Sequence, residues 1–361
     1  MTPDQLVTDI VWYALAFGTA LGLALFVTPL TIRVATTFKI HDAPDGRLKK
    51  HTQATPYLGG LAVATSFIIA YGVLSTPQTT DYQAMAMLVG GFMVLLLGLY
   101  DDLTNLSPAV KFLGQLLAAF VIYKGGVQVH IGSLPEWGNM ALTLLWVTGI
   151  ANAFNIIDIM DGLAAGTATI AALFLFGISV VTEEQQVVPF MAIALAGSLV
   201  GYLRFNFNPA RIFLGDTGSL FVGFTVGCLS MIVSYTGQRS GENHLALAAP
   251  LVLLSVPIFD TAFVAWHRAR KGIPFFRGSP DHFALRLRQR GLSVRQVVLR
   301  TYGVAGFLGL LTLGVVFGST AVALGAVISA GLLWLLAFVG LSRLPAPTPR
   351  PASAVVERAD A

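Results

Sequence analysis

Apolar stretches long enough to cross a bilayer recur along almost the whole chain, and this repetition constrains the fold more than any other feature. A hydrocarbon core about 30 Å thick needs about 20 predominantly apolar residues per helix. About eleven windows qualify, near 11–32, 57–75, 83–100, 108–124, 139–157, 162–182, 187–204, 216–236, 245–266, 300–318 and 320–341. The composition agrees: 55% of residues are hydrophobic and 11% charged, against about 25% charged in an ordinary soluble protein. A soluble enzyme, a disordered chain and a disulfide scaffold are excluded together. The single cysteine, Cys228, lies in an apolar run and reads as helix packing. The first window lacks a basic flank and a small-residue cleavage site, so it reads as a retained helix, not a signal peptide.

Basic residues in short loops stay on the cytoplasmic side of a membrane, which sets the orientation. With the N-terminus outside, 20 of the 22 Lys and Arg residues fall inside, and only Lys124 and Arg239 fall outside. The expectation is an all-α polytopic membrane protein of about 11 transmembrane helices, N-terminus outside and C-terminus cytoplasmic. Residues 1–344 form one integral membrane domain. The segment 345–361, with Pro345, Pro347, Pro349 and Pro351, reads as a disordered cytoplasmic tail.

Ionisable groups at membrane depth are costly, so those a bundle retains are candidates for function. Asp101 and Asp102 close one window in GLYDDL, Asp158 and Asp161 close another in NAFNIIDIMDG, and Asp216 opens a third in FLGDTGS. Asp260, in VPIFDTAF, falls in the inner half of its window. All lie at the cytoplasmic end in a topology derived from the basic residues alone. Asn152, Asn155, Asp158 and Asp161 recur every third residue, which on one straight helix would carry the last to the side opposite the first. A break before Asp161, helped by Gly162, would instead let Asn155 and the two aspartates approach one point. Capping is the plainer reading of any one of them, but not of the set.

Such carboxylates repel unless a cation intervenes, and hard oxygen ligands suit Mg²⁺, which is usually shared with substrate phosphates. In FLGDTGS, Gly215 and Gly218 would let backbone N–H groups approach a phosphate at a helix N-terminus, with Asp216 beside it. The two large basic loops, from Arg33 to Gly60 and from His267 to Arg300, suit either anionic headgroups or the phosphates of a substrate. Nucleic acid is not an expected partner. His282 can be a phosphate donor, a stacking contact or an ordinary exposed histidine, whereas His130 and His244 fall on the outer side.

From Arg33 to Arg300 the chain resembles the polyprenyl-phosphate N-acetylhexosamine-1-phosphate transferases, of glycosyltransferase family 4 type. The resemblance rests on KKHTQATPYLGG, GLYDDL with LSPAVKFLGQ, NAFNIIDIMDGLAAG and RIFLGDTGS, in that order. It is closest to the undecaprenyl-phosphate GlcNAc-1-phosphate transferase branch. The resemblance implies that Asn155 and Asp216 hold Mg²⁺, with Mn²⁺ as the alternative ion. It sets Asp101 and Asp102 against the polyprenyl phosphate, one of them as a base, and Asp158 and Asp161 around the nucleotide and the metal. These four are the candidate catalytic residues. Lys49, Lys50, His51 and Lys111 would contact phosphates, and Asn152 and His282 complete the candidate substrate-binding set. Where the family carries two or three histidines in its last loop, this chain reads SPDHFALRL and keeps only His282.

The implied partners are a UDP-sugar, a polyprenyl phosphate and the bilayer of the inner membrane, with the active site on the cytoplasmic face; a homodimer stays open. Two other classes compete. A transporter would use the same carboxylates for protons or Na⁺, near the bilayer midplane. A non-catalytic scaffold leaves the carboxylates unexplained.

Overall fold

The computed structural model describes residues 3–42, 55–75, 81–182, 187–233, 235, 244–274 and 280–344. Lys49, Lys50, His51 and the 345–361 tail lie outside the described residues. The elements run α1 (Pro3–Thr37), β1 (His41–Asp42), β2 (Thr55–Pro56), α2 (Gly59–Leu74), α3 (Tyr82–Thr104), α4 (Pro108–Lys124) and α5 (Glu136–Ile157). They continue with α6 (Leu163–Thr182), α7 (Val187–Asn206), α8 (Gly215–Ile232), a 3₁₀ turn (His244–Ala248), α9 (Ala249–Leu253) and α10 (Ser255–Arg270). The last are α11 (Phe283–Gln289), α12 (Val294–Phe317) and α13 (Thr320–Ser342).

Among the described residues each apolar window is mostly helical, but not every one is a full, straight span. Among the described residues eight helices are long and apolar enough to cross a membrane, or nine if one bent pair counts as a span. That pair, Leu245–Leu253 with Ser255–Arg270, bends by 73° where a single continuous helix was expected. Pro250 and Pro257 flank the bend, and each removes a backbone donor from the helical ladder. The helices α2 and α4, at 16 and 17 residues, lie near the lower limit of about 17 for a crossing.

Local chemistry sets the helix starts. Asp81, Ser107, Ser293 and Ser319 each accept a hydrogen bond from a first-turn N–H, and Ser293 with Gln296 forms a capping box. The bundle is built around α8, nearly all of whose side chains are buried, packed against α2, α3, α5, α6 and α7. Cys228 is buried there as a free thiol. The outer helices reverse the pattern of a soluble protein: Phe26 of α1 and Leu336 of α13 are 67% and 71% exposed. Large apolar side chains facing outward are what lipid, not water, would cover.

Candidate active site

The loop before α8 is strapped to the segment before α2. Phe213 N donates to Pro56 O (2.9 Å), while Gly59 N donates to Phe213 O (3.0 Å) and Gly60 N to Leu214 O (2.9 Å). The two backbones then touch: a Cβ on Gly60 would lie 2.2 Å from Gly218 N. TPYLGG and RIFLGDTGS are thus two halves of one contact, which fixes where α8 begins. Gly215 is required twice there, by its φ of +72° and because a Cβ would sit 2.6 Å from Asp102 Oδ2.

Asp102 reaches from the end of α3 to cap α8. Its Oδ1 accepts from Asp216 N (2.8 Å), and its Oδ2 accepts from Thr217 N (2.9 Å) and Thr217 Oγ1 (2.6 Å). A carboxylate at this position satisfies orphan donors and complements the helix dipole. The effect is to aim the Asp216 side chain at the start of α4 and the end of α5. There Lys111 Nζ contacts Asp216 Oδ2, lies 2.8 Å from Asp101 Oδ2 and donates to Asn155 Oδ1 at 3.4 Å. Asn155 Nδ2 donates to Asp216 Oδ1 (2.6 Å) and Ser219 Oγ (2.9 Å). Asp101, buried, also accepts from Leu106 N (2.6 Å), which closes the α3–α4 turn.

The structure therefore brings together Asp101, Asp102, Lys111, Asn155 and Asp216, from four helix ends. Asn152 stands apart, joined to Gln115 of α4 and donating to Thr148 O at 2.8 Å. The helix breaks at Asp158, before Asp161 as expected, and Gly162 turns with φ +79°. Asp158 accepts no hydrogen bond from any described residue. Burial, and then the carboxylates of Asp216, Asp102 and Asp161, push it up to about 8. Asp161 does not converge on Asn155 as expected. Its Oδ2 accepts from Asn208 Nδ2 (2.8 Å) and Ala210 N (3.0 Å), pinning the α5–α6 turn to the α7–α8 turn.

His282 is not an exposed contact. It is buried, with Nδ1 2.7 Å from Asp260 Oδ2, while Phe283 N donates to Asp260 Oδ1 at 3.0 Å. Beside it, Asp281 pairs with Lys271 (2.6 Å) and Arg286 (2.8 Å). Sequence reasoning gave no role to Thr217, Ser219 or Gln115. The hydroxyls directly after Asp216 in GDTGS were the available signal for the first two.

Among the described residues no three His, Cys, Asp or Glu side chains close on one point to hold a metal unaided. The oxygen donors nevertheless fit a hard cation. Oxygens of Asp101, Asp216 and Asn155 already surround the Lys111 ammonium, and a Mg²⁺ site needs only one or two such protein ligands when substrate phosphates supply others.

The family model of glycosyl transferase family 4 matches residues 84–234, which span Asp101 to Asp216. A probable undecaprenyl-phosphate N-acetylglucosaminyl 1-phosphate transferase of Bacillus subtilis (strain 168) is 34% identical over 332 residues, covering 90% of this chain and 87% of the relative. This chain belongs to glycosyl transferase family 4. A second relative, the decaprenyl-phosphate N-acetylglucosaminephosphotransferase of Mycolicibacterium smegmatis, is 31% identical over 77% of each chain. A phospho-N-acetylmuramoyl-pentapeptide-transferase of Listeria welshimeri is 28% identical over 81% of this chain and 93% of its own.

Proposed function

We propose that this family 4 protein transfers a sugar-1-phosphate, GlcNAc-1-phosphate in the first instance, from a UDP-sugar to polyprenyl phosphate. The products are a polyprenyl-diphosphate sugar and UMP, the starting unit of a cell-envelope polysaccharide. One observation carries the reading: five residues from the motifs of the resemblance meet at one end of an apolar helix bundle, with α8 presenting its N-terminus there. The names of two relatives support a polyprenyl phosphate acceptor and a transferred N-acetylglucosamine phosphate.

An oxygen of the lipid phosphate attacks the β-phosphorus of the donor; the new P–O bond forms as the bond from that phosphorus to the α-phosphate oxygen breaks, and UMP leaves. Lipid phosphate is already largely ionised at neutral pH, so a general base contributes little. Positioning and charge neutralisation do most of the catalysis. Lys111 contacts a phosphate oxygen once it is drawn off Asp216. Asp102 acts through Asp216, by holding the α8 turn, and Asp161 acts through the α5–α6 turn. Asp158 and Asn155 border the pyrophosphate. Mg²⁺ held by Asp216 and Asn155 would neutralise the phosphate charge. In this reading the carboxylate end faces the cytoplasm, where the nucleotide is, and the protein sits in the inner membrane as a multi-pass enzyme.

The test is UMP release by purified protein with undecaprenyl phosphate, a UDP-amino sugar and Mg²⁺, with Asp216→Ala and EDTA as controls. Turnover lost in both controls, with folding intact, supports the reading. Turnover that survives either control overturns the assigned metal site. A transporter would need its acids near the midplane, whereas here they gather at one end of the bundle.

A further inference from the structure

A second feature lies at the same end of the bundle, on different helices. The start of α12 is tied there, because Arg295 Nε donates to Asn208 O (2.8 Å) in the turn that Asp161 holds. Between α10, α11, α12 and the end of α13 is a cavity of about 320 Å³, within the range of small-ligand sites. Its wall is almost wholly apolar, with Phe259 stacked on Trp334 at 4.3 Å and Ala337 beside them. Among the described residues, two cations, Arg290 and Arg300, are the only charged ones lining it.

The charges around the cavity are unevenly matched. Asp281 is taken by Lys271 and Arg286, and Asp260 by His282. Arg290 and Arg300 are exposed, and among the described residues neither side chain has a hydrogen bond or an ion pair. The indole N–H of Trp334 is buried without an acceptor among the described residues. Outside the cavity, Leu335 and Leu336 of α13 are 59% and 71% exposed, a face suited to lipid.

An apolar hollow bordered by two guanidiniums that have no partner among the described residues describes an amphiphile with an anionic head. We propose that the cavity holds an acyl chain of an anionic glycerophospholipid, with its phosphate between Arg290 and Arg300. The acceptor substrate of the proposed reaction is a different occupant of a different place. Its phosphate belongs beside Asp101 and Lys111 on α3 and α4, and neither helix borders this cavity. Of the two readings of the basic loop from His267 to Arg300, this assigns its last arginines to lipid. The inference depends on the membrane setting and not on the transfer chemistry.

A ligand that binds only the folded state raises its melting temperature. The full-length protein, stripped of lipid in a neutral detergent, is melted with phosphatidylglycerol, phosphatidylcholine, undecaprenyl phosphate or inorganic phosphate. Phosphatidylglycerol is expected to raise the midpoint by several degrees, and phosphatidylcholine and inorganic phosphate are not. The double variant R290Q/R300Q, altered only at exposed side chains, should melt like the parent without lipid and lose that increment. A337F, which fills the hollow, should lose it as well. An increment kept in R290Q/R300Q would overturn the proposal. So would an equal increment from inorganic phosphate, which means a simple anion site. Displacement of phosphatidylglycerol by equimolar undecaprenyl phosphate in native mass spectra would also overturn it, by giving the cavity to the acceptor. Because melting is the readout, failure here leaves the transferase reading untouched, and the reverse holds.

Discussion

Asp102 offers a sharp division between two roles, because its carboxylate is already occupied by three donors of the α8 turn. Asp102→Ala removes the acceptor for all three. Loss of an N-cap acceptor costs about 0.5–2 kcal/mol, and loss of a negative charge at a helix N-terminus about 0.3–1 kcal/mol more. Relief of repulsion with the nearby Asp216 works in the other direction, so a net loss of about 1–2 kcal/mol is expected. Asp102→Asn keeps one acceptor oxygen and should lose less. If Asp102 acts by holding Asp216 in place, turnover should fall in step with stability, more in the alanine variant than in the asparagine one. A misplacement of 1 Å costs about 100-fold in rate. The assay pairs thermal unfolding in detergent with initial rates of UMP release. An asparagine variant as stable as the parent yet without turnover would refute the positioning role and make Asp102 a reacting group.

Gly60→Ala should be severely destabilising, by about 1–3 kcal/mol or more, because the added methyl meets the Gly218 backbone and no side chain can yield; unfolding at graded temperature checks it. Asp161→Ala should lower the melting temperature while costing less turnover than Asp216→Ala, since it loosens a turn and leaves the oxygens around Lys111 in place. The Asp158 carboxyl stands at about 8 in the folded chain against 3.8 in the unfolded one, so the native state holds the extra proton between those values. Metal-free protein should therefore lose stability as pH rises from about 4 to 8, and Asp158→Asn should flatten that slope in thermal melts. Lys111→Met should destabilise metal-free protein more than protein in Mg²⁺, because the ammonium is the cation that Asp101 and Asp216 share; melts with and without EDTA measure the difference.

Helix positions were legible because membrane helices are written as long apolar runs, so α3, α5, α8 and α13 fall close to their windows. The gathering of carboxylates at one end was legible as well, from the basic loops and the alternation of spans. What each carboxylate does was not. Asp102 and Asp101 are adjacent in sequence, yet one caps α8 and the other pairs with Lys111, a choice made by where α8 and α4 pack. A break in the helix after the regular spacing from Asn152 was expected to bring Asn155, Asp158 and Asp161 to one point. Instead, Asn152 turns to Gln115, and Asp161 turns to a loop 47 residues further on. For His282 the sequence left a phosphate donor, a stacking contact and an exposed histidine open, but a buried acid on α10 claims it. The bend after α9 escaped notice because two prolines in an apolar window do not say how sharply a chain turns.

The central claim is that a phosphoryl group and its sugar move together. Undecaprenyl phosphate, Mg²⁺ and a panel of UDP-amino sugars, incubated with the purified protein, distinguish this by the nucleotide released and by the mass of the lipid product. The account predicts UMP and a lipid-diphosphate sugar in equal amounts from one preferred donor. Release of UDP with a lipid-monophosphate sugar, or no product from any donor with folded protein, would contradict it.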